Sequence, residues 1–205
     1  IDPDIADAEG LARGSDGTLF VSFERRHRLF RYREGMAPQD VALPEALRAL
    51  RRNRGPEALA IDGEGRLLVI GEQSRVWFGD FTVWRHAATG WDDLSLPRRG
   101  PFLPVGADVG PDGRLYVLER AFLGIGFRSR VRRFDIGATA LVNETLLLRS
   151  GLRRHDNLEG LSVWRDGAGA IRLTMISDDN RNRLQQTQLV EYRLPDDLAR
   201  TGDTR

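Results

Sequence analysis

Acidic residues recur along this sequence at matched places, and their spacing is the first sign of chemistry. Glu9, Glu57 and Glu159 each open a short segment: Glu9-Gly10-Leu11-Ala12, Glu57-Ala58-Leu59-Ala60 and Glu159-Gly160-Leu161-Ser162. Asp108 is a weaker fourth member, because Val105 holds the leading place and Asp108 lies three residues further on. A second set closes an apolar run: Glu24, Glu72, Glu119, and Asp178 or Asp179. Carboxylates gathered in one place are hard oxygen donors that suit calcium, or that activate water. The same acids serve equally well as caps, each accepting backbone N–H bonds at its own turn. Both readings stand at the level of sequence.

Arginines accompany these acids: Arg25, Arg54, Arg120 and Arg181. Gathered at one mouth they would fork onto an oxyanion such as phosphate. Dispersed on a surface they are ion-pair partners of small energetic weight. The densest polar segment is Ser177-Asp178-Asp179-Asn180-Arg181-Asn182-Arg183. Asp178, Asn180 and Asn182 alternate as in a calcium loop, but Arg183 stands where the sharp turn needs Gly and Leu189 stands at the twelfth place. An EF-hand is therefore excluded.

Other site chemistries leave no mark. Gly160-Leu161-Ser162 continues into Val163-Trp164 and not into a nucleophile elbow. His27, His86 and His155 lack zinc-ligand spacing, and His155 alone stands near a candidate acid, just before Asp156-Asn157-Leu158-Glu159. Gly124-Ile125-Gly126 lacks the third glycine of a dinucleotide loop.

The elements that must position the acids repeat with them. After each leading segment come a Gly-containing turn and an apolar strand: Asp16-Gly17 then Leu19-Phe20-Val21, and Glu64-Gly65 then Leu67-Leu68-Val69-Ile70. The third copy has Asp112-Gly113 then Leu115-Tyr116-Val117-Leu118, with its closing acid one place early. The fourth has Asp166-Gly167, a small insertion, then Leu173-Thr174-Met175-Ile176. The Asp-Gly pairs predict type I′ hairpins. Further alternating segments follow, such as Arg28-Leu29-Phe30-Arg31-Tyr32, Val131-Arg132-Arg133-Phe134-Asp135 and Leu189-Val190-Glu191-Tyr192-Arg193-Leu194. In the second copy Arg75-Val76-Trp77-Phe78 and Thr82-Val83-Trp84 take that place. A unit of roughly 50 residues with about four strands is the size of a propeller blade. Four such units predict an all-β propeller, and equivalent inner-strand acids would then converge on its axis. Helix is confined to residues 45–52 after Pro44 and to a terminal turn from Asp196 to Arg200, while residues 90–104 read as a loop.

Composition narrows the setting. The 205 residues are 30% charged and 40% apolar with a net charge of +1, so no global field points to nucleic acid or an anionic membrane. Every basic side chain other than histidine is arginine, which reads either as GC-rich coding bias or as many rigid forks for phosphate or carboxylate. There is no cysteine, hence no disulfide framework and no thiolate metal site. No apolar run reaches membrane-spanning length. The chain opens Ile1-Asp2-Pro3-Asp4, which suggests a processed or trimmed product.

These segments together resemble the bacterial family called esterase-like activity of phytase. The likeness is carried by Asp7-Ala8-Glu9-Gly10-Leu11-Ala12, Asn53-Arg54-Gly55-Pro56-Glu57-Ala58-Leu59, Gly106-Ala107-Asp108-Val109-Gly110-Pro111-Asp112-Gly113, Leu118-Glu119-Arg120, Asp156-Asn157-Leu158-Glu159-Gly160 and Ser177-Asp178-Asp179-Asn180. It implies a propeller domain exported by Gram-negative bacteria to the periplasm or exterior, of which this chain lacks a leading blade of a larger, six-bladed type. It also implies phosphoester or ester hydrolysis on a small anionic substrate. In that reading Glu9, Glu57, Asp108 and Glu159 hold calcium, and Glu159, Asp178, Asp179, Arg54 and Arg120 carry catalysis. The alternative is a non-catalytic propeller whose acids are structural caps or one structural calcium site. Open sheet edges would favour association in either case.

Overall fold

The computed structural model describes residues 8–24, 26–50, 55–74, 79–87 and 89–200. Arg25, Arg54 and the segment 75–78 lie outside the described residues, as does the side chain of Glu72. The strands group as four antiparallel sheets in chain order. The first comprises β1 (Ala8–Arg13), β2 (Leu19–Phe23), β3 (Arg28–Tyr32) and the two-residue β4 (Gln39–Asp40). The second comprises β5 (Pro56–Ile61), β6 (Leu67–Ser74), β7 (Phe81–Ala87) and β8 (Gly90–Leu96). The third holds β9 (Leu103–Val109), β10 (Leu115–Phe122), β11 (Phe127–Ile136) and β12 (Leu141–Arg149), and the fourth holds β13 (Leu158–Arg165), β14 (Ile171–Ser177) and β15 (Leu189–Arg193). Within each sheet the strands pair in sequence order, and the first strands β1, β5, β9 and β13 pack against one another in succession. Four consecutive meanders with adjacent inner strands are the blades of a β-propeller.

Apolar residues lie between blades, where each sheet face needs cover. Leu29, Leu59, Val69 and Trp84 fill the space between the first and second blades, together with Leu47 of α1 (Glu45–Arg48). Leu68, Ile70, Phe81, Leu115, Val117 and Phe134 fill the next, and Tyr116, Leu118, Val131, Leu173 and Met175 the third. A second short helix, α2 (Asp196–Arg200), follows β15. The segment 90–104 is not a loop: β8 pairs with β7 along its length, and β9 begins at Leu103.

The inner hairpins share one turn, and it differs from the expected type I′. In all four, a backbone pair closes the turn: Gly14 with Thr18, Asp62 with Arg66, Gly110 with Arg114, Asp166 with Ala170. Within it, Gly17, Gly65, Gly113 and Gly169 each donate three residues back, and each has positive φ (82°, 77°, 74° and 84°). One left-handed residue after an ordinary turn is the three-residue hairpin, whereas type I′ needs two in succession. In the fourth blade Gly169, not Gly167, takes that place. The insertion expected there lies in the strands, since β13 and β14 run two pairs longer between turn and bulge than β9 and β10.

At the other end of each inner hairpin one residue is extra. Pro56 pairs Gly71 and Ala58 pairs Ile70, leaving Glu57 bulged. Leu158 pairs Ser177 and Gly160 pairs Ile176, leaving Glu159 bulged. In β1 the extra residue falls within Glu9–Gly10, and in β9 it is Val105. A bulge bends its strand and re-aims the side chain it carries. The matched leading acids are therefore the residues of a repeated bulge.

Candidate functional site

The bulges open onto one broad cleft of about 1380 Å³, floored by the four inner strands. Glu9, Glu57, Asp108 and Glu159 all line it. Asp178, Asn180 and Arg181, from the loop after β14, form part of the wall.

Glu159 has the most built surroundings. Its Oε1 accepts from Arg120 Nη1 and, at 2.8 Å, from Asn157 Nδ2. Arg120 also donates to Asn157 Oδ1, which closes a three-residue ring across the boundary between the third and fourth blades. The Arg120 guanidinium lies 5.4 Å from the Phe127 ring centroid. Burial pushes the Glu159 carboxyl above the usual carboxylate range. Arg120 and Asn157 pull it back in part, while Asp178 adds to the rise.

Asp108 is a strap between blades. Its Oδ2 accepts the Val163 N–H at 2.7 Å, tying β9 to β13. Burial raises its carboxyl too, against the amides of Val163 and Val109. The first boundary has a different strap: Ser22 Oγ accepts the Gly10 N–H at 2.9 Å and donates to Pro56 O at 2.7 Å. Asp178 is exposed at the cleft and accepts the Asn180 N–H at 2.9 Å. Asp179 holds its own loop, accepting from Arg181 N–H at 2.9 Å and Thr187 Oγ1 at 3.1 Å.

The closing set divides. Glu24 and Asp178 each stand one place beyond the residue paired at the bulge, Phe23 and Ser177. In the third blade Arg120 occupies that place, because Glu119 pairs there with Pro104. One place along a strand reverses the face. Glu119 accordingly points away from the cleft and is fully buried between Arg130 and Arg132. Both arginines fork onto it, with Nε to Oε2 at 2.6 Å in each case. Arg130 also lies 4.2 Å from the Phe102 ring centroid. This acid is a core ion pair and not a ligand.

None of the three histidines lines the cleft. His155 Nε2 bonds Tyr192 Oη at 2.8 Å, and burial with nearby Arg154 lowers its proton affinity. His27 Nε2 bonds Leu50 O at 3.2 Å, and His86 meets the Trp91 ring edge-on. The site residue that sequence reasoning missed is Asn157. Its signal was present: Asn157 and Glu159 bracket Leu158 with the alternation that puts two side chains on one strand face.

Calcium tests poorly against this geometry. Among the described residues no three histidine or acidic side chains converge as a metal cage. Glu159 is already engaged by Arg120 and Asn157, and Asp108 by the Val163 amide. We therefore derive no step through a metal. What the site offers is a carboxyl of raised proton affinity, a guanidinium bonded to it, and Arg181 on the same cleft wall.

Fold and cleft together define a β-propeller whose inner strands present acids to one cleft. The match to known families gives the particular one: the chain belongs to the family described as esterase-like activity of phytase, whose model matches residues 2–181. Among curated proteins none matches this sequence. Solved structures give the same architecture. The PQQ-bound aldose sugar dehydrogenase of Streptomyces coelicolor is similar at 14% identity and a TM-score of 0.55, over 93% of this chain and 61% of that one. The endo-arabinase of Bacteroides thetaiotaomicron is similar at 12% identity and a TM-score of 0.54, over 86% and 70%. The inactive H270A virginiamycin B lyase of Staphylococcus aureus, bound to quinupristin, is similar at 12% and a TM-score of 0.51, over 95% and 58%. This chain thus spans between 58% and 70% of the lengths of these structures. At such identities the likeness concerns the fold alone.

Proposed function

We propose that the cleft is the site of a hydrolase acting on a small anionic ester, a phosphomonoester in the first instance. The observation that carries this is the Arg120–Glu159–Asn157 ring at the cleft wall. A carboxyl held by burial above its usual range accepts and returns protons nearer neutrality than an exposed one. Glu159, once ionised, takes a proton from the attacking water. Arg120 holds the carboxylate in place, and Arg181 attracts the anionic group to the wall. Asp178 raises the proton affinity of Glu159 and is assigned no direct contact with substrate. Arg54 lies outside the described residues and has no role here.

The test is hydrolysis of p-nitrophenyl phosphate and p-nitrophenyl acetate by the full chain, with calcium added and with calcium chelated. Turnover abolished in Glu159→Gln at unchanged melting temperature supports the reading. Turnover retained in that variant overturns it. A calcium requirement would place metal ligands beyond the acids assigned above.

A second reading has its own support. The carboxylates of Asp108, Asp178 and Asp179 accept backbone N–H groups, which is the behaviour of structural caps in a ligand-binding propeller. In that case Asp108→Ala lowers the melting temperature and no ester is turned over.

A further inference from the structure

The β10–β11 hairpin ends in an apolar tip, Phe122-Leu123-Gly124-Ile125-Gly126-Phe127. Its strands pair to the end, Phe122 against Phe127, and the Leu123 N–H donates to Gly126 O at 3.0 Å. The two phenylalanine rings meet at 5.2 Å between centroids. The tip is thus a held projection, yet Phe122 is 63%, Leu123 41% and Ile125 71% exposed. Three large apolar side chains held together in water mark a contact surface.

The base of the hairpin is cationic. Arg128 follows Phe127 on β11. Arg153 donates its N–H to Phe127 O at 2.9 Å and lies against Gly126, where an added Cβ would come within 2.4 Å of its Cγ. Arg154 is exposed beside it. Among the described residues none of these three arginines forms an ion pair with a carboxylate, and Arg128 Nε has no hydrogen-bond partner.

We propose that this hairpin docks the protein on an anionic bilayer surface. An apolar tip over a collar of arginines matches the two layers of such an interface. The tip enters the boundary of the acyl chains while the guanidiniums stay at the phosphates. The charge decides the occupant. Unpaired arginines around the apolar patch complement anionic headgroups and would repel the same collar on a second copy. Docking would also bring the cleft to the surface, because Arg120, which holds Glu159, lies against Phe127 of the same hairpin.

The experiment is co-sedimentation of the full chain with vesicles of phosphatidylcholine alone and of phosphatidylcholine with an equal part of phosphatidylglycerol. Binding is expected to the mixed vesicles only, and to weaken with added salt. Arg153→Asn with Arg154→Ser should lower partitioning roughly thirtyfold, about fivefold for each charge lost. Asn is chosen because it tolerates the positive φ of Arg153, 60°. Phe122→Ser with Ile125→Ser should lower it by at least roughly tenfold at unchanged melting temperature. No binding to either vesicle, or equal binding by wild type and the tip variant, overturns the proposal. A dimer in solution that the tip variant dissolves also overturns it and makes the hairpin a self-association surface.

Discussion

Arg120 of the third blade and Glu159 of the fourth bond directly across the blade boundary, with Asn157 bonded to both. Glu159 is the bulged residue of β13. Arg120 stands where the first and fourth blades carry Glu24 and Asp178. A repeat with acids at both places would set two carboxylates near one another at every boundary. The arginine at this one place turns that repulsion into a pair, so this is where the pseudo-symmetry of the blades breaks.

That pair makes the first prediction. Removing the Glu159 carboxylate in Glu159→Gln should lower hydrolysis by ~10²–10⁴-fold, the usual weight of a general base. Arg120→Met leaves the base but removes the cation that favours its charged form, so burial goes unopposed. The acid limb of the kcat/KM profile should then move to higher pH, with activity recovering in base. An unshifted limb would separate Arg120 from the ionisation of Glu159.

The same group sets a pH dependence of stability. The folded-state carboxyl of Glu159 lies above its unfolded value, so the native state holds the proton over a window where the unfolded chain has released it. Its contribution is fully present below the unfolded value and is lost as pH rises through the folded one. The melting temperature of wild type minus that of Glu159→Gln should therefore fall as pH rises through and just above the usual carboxylate range. Asp108→Asn should give the same slope, since burial raises that carboxyl as well. Thermal melts at a series of pH values read both, and a slope of opposite sign would refute the assignment.

A third prediction concerns Glu119, where strand register matters most. It is fully buried between two guanidiniums, Arg130 and Arg132. Glu119→Gln keeps the shape but leaves buried Arg130 without its carboxylate and Arg132 with Glu144 alone, which should cost ~3–5 kcal/mol. Urea unfolding measures this. Hydrolysis by the fraction still folded should be unchanged, because the side chain faces away from the cleft.

The sequence announced the blades through Glu9, Glu57 and Glu159, because repeated spacing survives without any knowledge of partners. It could not announce that these acids sit in bulges, since a bulge exists only relative to the facing strand. For the same reason Glu119 passed for a closing acid, although its early place already meant the opposite face. Asp166-Gly167 looked like the turn because an Asp-Gly pair is a strong local signal, yet the closing bonds select Gly169. The segment 90–104 passed for a loop because its Gly, Pro and Arg content hides strand β8, whose Leu94 and Leu96 face the core. Asn157 was legible only as a same-face neighbour of Glu159, because its bond to Arg120, a long way off in the chain, leaves no local signal.

The last prediction separates position from stability with two glycines. Gly106, beside the bulged Val105, faces the fourth blade so closely that an added Cβ would stand 2.4 Å from Glu159 O and 3.3 Å from Leu161 N. Both neighbours are backbone, so Gly106→Ala must push β13 outward and carry Glu159 with it. Such overpacking costs ~1–3 kcal/mol. Gly113 has open space around it, but its φ of 74° disfavours any Cβ. Gly113→Ala should cost a similar ~1–2 kcal/mol for backbone reasons alone. The two variants should thus melt close together while only Gly106→Ala loses hydrolysis and loosens Arg120 from Glu159. Equal activity in both would mean that the cleft tolerates displacement of Glu159, and would move the chemistry away from that residue.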